Sequence, residues 1–418
     1  MNNGRKKRTG IMLGLFILIL AAAAGCVYSH FGGFGTGESA DAAQFGQYAT
    51  EVSKLTVPEG TQIVALGEAT HGNAEFQQLK LQVFWKLVQE YGARAFALEA
   101  DFGGCEAVNR YIHGGEGSAR EAAEALGFAI YRTGEMEALI TRMRDYNETA
   151  APGDDLRFYG FDMQRYAFSY RYLLEEAQAA GVDTARLEAL WDGETGAYST
   201  DFSSDQREEV FRAVREQLPE ENAQAIHLAD ILLQNRELGK YMNDPAALNE
   251  QRDQMMADNT LWILAQEQAR GNSRIFISGH NTHVRHSDGM GGHLSDALGS
   301  GYFVIGTDFY KSTCNLPSAG TGERLNHTFY SHDPLAKASM SCGFAESFLD
   351  FSAVPEASAL NAQVRGQIPM GSLGELYNGL LMRLLPRSYR IQAVPAELYD
   401  AMIFVAEATP IEILESAE

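Results

Sequence analysis

The stretch Gln62-Ile-Val-Ala-Leu-Gly-Glu-Ala-Thr-His-Gly72 holds an unbroken apolar run that stops at an acid and then turns through a histidine and a glycine. A short run that is continuous rather than alternating reads as a strand buried on both faces. From Phe76 to Tyr91 the pattern is amphipathic and predicts a helix, and Arg94-Ala-Phe-Ala-Leu-Glu99 predicts the next strand. Strand, helix and strand in succession predict parallel neighbours. Working outward, four more such runs follow: Leu156 to Asp162, Arg274 to His280, Tyr302 to Asp308 and Ala401 to Glu407. The expected fold class is α/β, a three-layer α/β/α core with a mostly parallel sheet and an inserted helical subdomain.

Between the third and fourth runs there is almost no strand signal. Phe168 to Ala180, Asp205 to Tyr241 and Ala246 to Arg270 read as helices, so a helical insertion is expected over about 165–272. Residues 312–374 are rich in Ser, Gly, Ala and Asn with poor periodicity, and are expected to be mostly loops with short elements. The main domain is expected to span 46–418, preceded by a Gly-, Ser- and Ala-rich tether over 30–45.

Residues 1–29 differ from the rest. Arg5-Lys-Lys-Arg8 precedes an uncharged run from Ile11 to Ser29, the pattern of a signal peptide or membrane anchor, with the positive end retained inside. Ala24-Gly25-Cys26 resembles a lipoprotein cleavage box, with Ala23 where leucine is usual. Each of these readings puts the body on the extracytoplasmic face of the membrane, or secreted if the segment is removed. In that oxidising space Cys314 and Cys342 are candidates to pair. The chain of 418 residues carries a net charge of −22, which argues against nucleic acid as a partner and for a small neutral or cationic ligand.

All six apolar runs end in an ionisable residue: Glu68, Glu99, Asp162, His280, Asp308 and Glu407. Ligands of open α/β sheets bind beyond the carboxyl ends of the strands, so such groups converge from distant positions. His71 lies in a tight turn before a helix N-terminus, whose dipole disfavours the imidazolium and leaves a ring able to accept a proton from water. Glu68, three residues earlier, is placed to orient that ring. His280-Asn-Thr-His283 follows a strand directly, a spacing that suits two rings aimed at one cleft or two metal ligands. A catalytic reading requires His71 to share a crevice with Glu68, Glu99, His280 and His283. A metal-dependent reading makes the same five residues ligands. No G-x-S-x-G elbow, P-loop or strand-borne GxGxxG occurs, so a serine hydrolase elbow and nucleotide cofactors have no support.

At these residues the chain resembles the erythromycin esterase family. The resemblance rests on Leu66-Gly-Glu-Ala-Thr-His71-Gly with Glu75-Phe76, Leu98-Glu99-Ala-Asp-Phe102, Val108-Asn-Arg-Tyr-Ile-His-Gly114 and Tyr159-Gly-Phe-Asp162. It continues with Arg252-Asp253 followed by Met256 and Asn259, Gly279-His-Asn-Thr-His283-Val and Tyr302-Phe-Val-Ile-Gly306. The family includes macrolide-inactivating esterases and members named for succinoglycan biosynthesis. The resemblance implies hydrolysis of an ester or lactone by a water that a histidine activates, with no obligatory metal or other cofactor. It assigns His71 as the base, Glu68 as its neighbour, and Glu99, His280 and His283 as the rest of the catalytic set. Glu75, Lys80, Asp162 and Arg252 are expected to contact substrate, Lys80 standing where macrolide-degrading members carry arginine. The fold also resembles haem-binding lipoproteins and membrane-anchored metalloproteases with a Gly-x-x-His turn, which leaves a non-enzymatic haem- or glycan-binding role as the alternative.

Overall fold

Each of the six apolar runs forms a buried strand in the computed structural model, which describes residues 2–30, 39–374, 376–385 and 388–416, with 2–10 and 30 as helix backbone alone. The first five are β1 (Ile63–Glu68), β2 (Ala95–Asp101), β3 (Arg157–Asp162), β4 (Ile275–His280) and β5 (Tyr302–Pro317). Residues after Pro317 add β6 (Arg324–Tyr330) and β7 (Glu346–Asp350) before the sixth run closes the series as β8 (Ala401–Ala408). The chain divides into a larger unit (57–67, 77–304 and 412–418) and a smaller one (1–56, 68–76 and 305–411).

In the larger unit the strands lie in the order β1–β4–β2–β3, with β2 parallel to both β4 and β3. The helix Ala74–Tyr91 carries the chain from β1 to β2. Its Leu79, Val83 and Leu87, each four apart, are fully buried together with Phe84, the stripe that a 3.6-residue period demands. Phe84 meets Phe96 of β2 edge-on at 5.3 Å and Phe276 of β4 at 5.8 Å. The helices Ala167–Ala179, Ser204–Gln217, Ala223–Leu238 and Pro245–Ala269 lie between β3 and β4 in the chain. Their starts are written locally. Ser203 and Gln206 form a reciprocal capping box, and Asp244 caps a helix whose first residue is Pro245.

In the smaller unit the order is Thr50–Glu51, β7, β8, β5, with β6 on β5. β8 runs parallel to β5, while β7 and β6 are antiparallel to their neighbours. So the stretch expected to be mostly loops supplies four strand segments, the last being Ile368–Gly371, which pairs with Arg390–Ala393 in a separate two-stranded sheet. Past Phe309, β5 alternates buried with half-buried residues, the pattern of an antiparallel ribbon solvated on one face. The continuous-run criterion that found the other strands does not register it.

The N-terminal helix spans Asn2–His30 and contains the apolar stretch Ile11–Ser29, none of it buried. Of the expected tether, 31–38 lie outside the described residues. Asp41 caps the helix Ala42–Tyr48, whose Phe45 is buried 5.6 Å from Phe404 of β8. Cys314 and Cys342 do not pair. Both are free thiols, and burial pushes the Cys314 thiol up to about 12. Cys314 Sγ instead contacts the carbonyl of His327, and Cys342 Sγ that of Ser339.

Candidate functional site

In the smaller unit, Glu68 ends β1 and His71 follows in the turn. The His71 side chain is 6% exposed and that of Glu68 is fully buried, with Nδ1 of His71 3.3 Å from Oε2 of Glu68. That contact assigns the proton of a neutral ring to Nδ1 and leaves Nε2 as the basic nitrogen. The turn is held from several sides. The Ala69 N–H donates to Thr307 Oγ1, and the carbonyl of Gly72 accepts from the N–H groups of Asn315 and Ile411. A Cβ on Gly72 would stand 2.6 Å from the carbonyl oxygen of Asn315. Only glycine permits that approach. Asn73, wholly buried, donates to the carbonyls of Thr313 and Thr409 and accepts from Ser312 Oγ. Glu75, expected at the substrate, receives the N–H and the hydroxyl of Thr409 on its two oxygens, both at 2.7 Å. It closes the turn onto the C-terminal segment.

In the larger unit, the ends of β2, β3 and β4 bring Glu99, Asp162, His280 and His283 to one buried cluster around Arg252. Nη2 of Arg252 donates to Glu99 Oε1 and Asp162 Oδ2, both at 2.8 Å. Burial opposes the charge on Arg252, but Asp162 and Glu99 outweigh it and raise its pKa. The second oxygen of Glu99 accepts the backbone N–H of His280 at 2.7 Å. Gly279 allows this, because a Cβ there would lie 2.9 Å from that oxygen. Asp162 also accepts from the N–H of Met163 and from the Gln164 side chain.

His283 sets its ring among the charged groups of this cluster. Its Nδ1 lies 2.5 Å from Asp253 Oδ1, while Nε2 is 3.3 Å from Arg252 Nη1 and 3.4 Å from Glu99 Oε1. A neutral ring donates from Nδ1 to Asp253 and accepts from Arg252 at Nε2; a protonated ring turns its Nε2–H to Glu99. Burial opposes the charged ring, but Glu99 and Asp253 prevail and raise its pKa. His280 takes a different role, its Nδ1 lying 2.7 Å from Thr282 Oγ1 with the two histidine ring centres 6.4 Å apart. Lys80 is wholly buried, its Nζ on Gln77 Oε1 at 2.6 Å and 5.4 Å over the ring of Tyr131. The hydroxyl of Tyr131 donates to the carbonyl of Glu99.

Sequence reasoning passed over Asp253 as a site residue. Its signal was its place beside Arg252, a pair of opposite charges on a helix whose neighbouring positions are core. The metal reading does not fit these side chains. Among the described residues no three His, Cys, Asp or Glu side chains are grouped to hold an ion. Glu99 commits one oxygen to Arg252 and the other to a backbone N–H, so the guanidinium holds the position between the acids that a cation would take.

Residues 88–408 match the sequence profile of the erythromycin esterase family. The chain belongs to the erythromycin esterase family. The erythromycin esterase type II of Escherichia coli is 25% identical over 350 residues, 71% of this chain and 82% of its own. A succinoglycan biosynthesis protein of known structure superposes with a TM-score of 0.74 at 20% identity, covering 89% of this chain and 98% of its own. A point mutant of the erythromycin esterase EreC, in its open conformation, superposes at 0.56 with 15% identity, covering 85% and 93%. The two structures share the fold, a mostly parallel sheet flanked by helices. Membership in the erythromycin esterase family supports a hydrolase function for the chain.

Proposed function

We propose that the chain hydrolyses a carboxylic ester or lactone, with His71 taking the proton of the attacking water. The observation that carries this reading is the pairing of a buried His71 with Glu68 across a turn that backbone contacts hold rigid. Water oxygen bonds to the acyl carbon, its proton passes to Nε2 of His71, and the carbonyl π pair moves to oxygen. Glu68 keeps the Nδ1–H in place and stabilises the imidazolium. The intermediate then collapses, the bond from the acyl carbon to the alkoxy oxygen breaks, and the alkoxide takes a proton. The His71 imidazolium supplies that proton. The ring is thereby returned to its neutral form, and the products are an acid and an alcohol. Positioned proton transfer of this kind contributes on the order of 10²–10⁴ in rate.

The test is a panel of erythromycin, aryl esters and acylated glycosides, followed by mass spectrometry for the gain of one water. Wild type is expected to convert at least one compound, and His71→Ala is expected to lose turnover by on the order of 10²–10⁴ while keeping its melting temperature. Full activity in His71→Ala removes this histidine from the mechanism.

We further propose that Ile11–Ser29, an apolar helix of 19 residues near the N-terminus, inserts in a membrane or directs export, with the body on the extracytoplasmic side. Its length meets the roughly 17–25 residues that a bilayer crossing needs.

A further inference from the structure

A cavity of about 520 Å³ opens in the larger unit, walled among others by Asp101, Phe128, Gln164, Arg165, Tyr166 and Phe168. That is a volume typical of small-molecule sites, and the proposed hydrolysis uses none of these residues. Asp101 ends β2 and is 2% exposed. Its Oδ2 accepts the N–H of Gly104 at 2.7 Å and caps the helix Phe102–Ile112. Its Oδ1 is buried with no hydrogen-bond partner among the described residues. A buried acceptor left unmade is costly, so a turn of the carboxyl that brings this oxygen to a ligand's donor in the cavity is favoured. Burial raises the Asp101 carboxyl to about 7, the Gly104 N–H pulling it down, Asp162 pushing it up and Arg165 pulling it down. Near neutral pH it can therefore meet a hydroxyl as acceptor or as donor.

The walls decide which ligand suits it. The Arg165 guanidinium lies 4.7 Å over the Phe128 ring, and Tyr166 stacks on Tyr198 at 4.3 Å, which fixes both aromatic faces. Arg165 brings only donors and Asp101 an acceptor. An ammonium ligand would answer Asp101 and be repelled by Arg165; a carboxylate or phosphate would do the reverse. Hydroxyl groups both donate and accept, so a ring bearing several answers both. The aromatic faces are negative and attract the C–H face of such a ring.

We propose that this cavity is a subsite for a neutral polyhydroxylated ring, a pyranose, with one hydroxyl donating to Oδ1 of Asp101 and the ring lying against the aromatic wall. Gln164 joins the cavity to the charged cluster, its side-chain amide donating to Asp162 Oδ2 at 2.6 Å. Taken with the hydrolase reading, on which this step rests, the substrate is an acylated sugar; the binding itself does not depend on turnover.

The test is saturation-transfer NMR on the full chain in detergent, with the methyl glycosides of glucose, galactose and mannose as probes and cyclohexylammonium as the cationic control. At least one glycoside is expected to bind wild type and His71→Ala alike. Asp101→Asn keeps the helix cap and is expected to weaken binding about tenfold through loss of the charge-assisted hydrogen bond. Ala167→Trp, which fills the exposed rim of the cavity, is expected to abolish it. The proposal is overturned if no glycoside binds wild type, if Ala167→Trp or Asp101→Asn binds as well as wild type, or if cyclohexylammonium binds in preference. Glycoside binding without hydrolysis of any ester sinks the hydrolase reading and leaves the subsite standing; ester turnover without glycoside binding does the opposite.

Discussion

Asp253 holds the Nδ1 of His283 at 2.5 Å. This makes the tautomer of the ring a property of the fold, because the proton on Nδ1 is committed and only Nε2 is free to exchange one. Asp253 thereby positions the His283 ring.

Asp253→Asn removes part of what raises the His283 pKa. The midpoint of that ring's titration, followed by NMR, is expected to move to lower pH. An unmoved midpoint would mean that Asp253 orients the ring without setting its charge.

Arg252 neutralises two buried acids, and its loss should be felt in stability before activity. Arg252→Met leaves Glu99 and Asp162 buried without their cation and is expected to cost about 3–5 kcal/mol in urea unfolding. Arg215→Met breaks the pair with Asp230, whose partners are 42% and 31% exposed, and should cost less than about 1 kcal/mol. Equal losses in the two variants would mean that burial does not set the strength of these pairs.

Asp308 and Asp333 are both fully buried in the smaller unit, and their carboxyl pKa values are raised, chiefly by burial and for Asp333 also by the charge of Asp308. A raised folded pKa means that the native state binds protons more tightly than the unfolded chain. The contribution is complete below the unfolded value of 3.8 and is lost as pH rises through the folded values. Asp333→Asn keeps the cap on Leu335 and removes one titration. It should raise the melting temperature at pH 8 more than at pH 4, and a uniform shift across that range would contradict the linkage.

Gly72→Ala places a methyl 2.6 Å from the Asn315 carbonyl oxygen. Overpacking of this sort costs about 1–3 kcal/mol. Because the turn that bears His71 must move to make room, kcat should fall further than stability alone explains. A variant as stable and as active as wild type would show that the turn is not clamped as described.

Deletion of residues 1–29 should move the protein from the detergent phase to the aqueous phase in a phase-partition assay, with the melting temperature of the body unchanged. No residue of Ile11–Ser29 is fully buried, so the body loses little packing. Full-length protein that partitions to water would refute the membrane proposal.

Much of the fold was legible because parallel strands buried on both faces leave a simple trace. Ile63–Glu68 and Ile275–His280 show it as runs with no ionisable residue before the last. The second half of β5 and strands β6 and β7 were not legible, since half-exposed ribbons alternate and their Ser, Thr and Asn resemble loop. In the site, the His71–Glu68 contact was readable because it spans three residues of one turn. Arg252 meets Glu99 across 153 positions and Asp162 across 90, and no local pattern on a long helix marks which arginine will be buried. The contact of Glu75 with Thr409 was not legible for a related reason. An acid in the first turn of a helix looks the same in sequence whether it faces a ligand or Thr409.

The sequence by itself determined the six core strands, the helical stretches between β3 and β4, the capped helix starts, the apolar N-terminal segment and the chemistry available at strand ends. Each follows from short-range rules of periodicity, charge and backbone preference. Only the tertiary structure decided that Arg252 stands among the acids, that Asp253 holds His283, that Cys314 and Cys342 stay apart, and that Asp101 keeps an unmatched oxygen beside a cavity. Those pairings depend on which surfaces meet after collapse, and burial then sets their strength by removing the water that would otherwise compete for every charge and hydrogen bond.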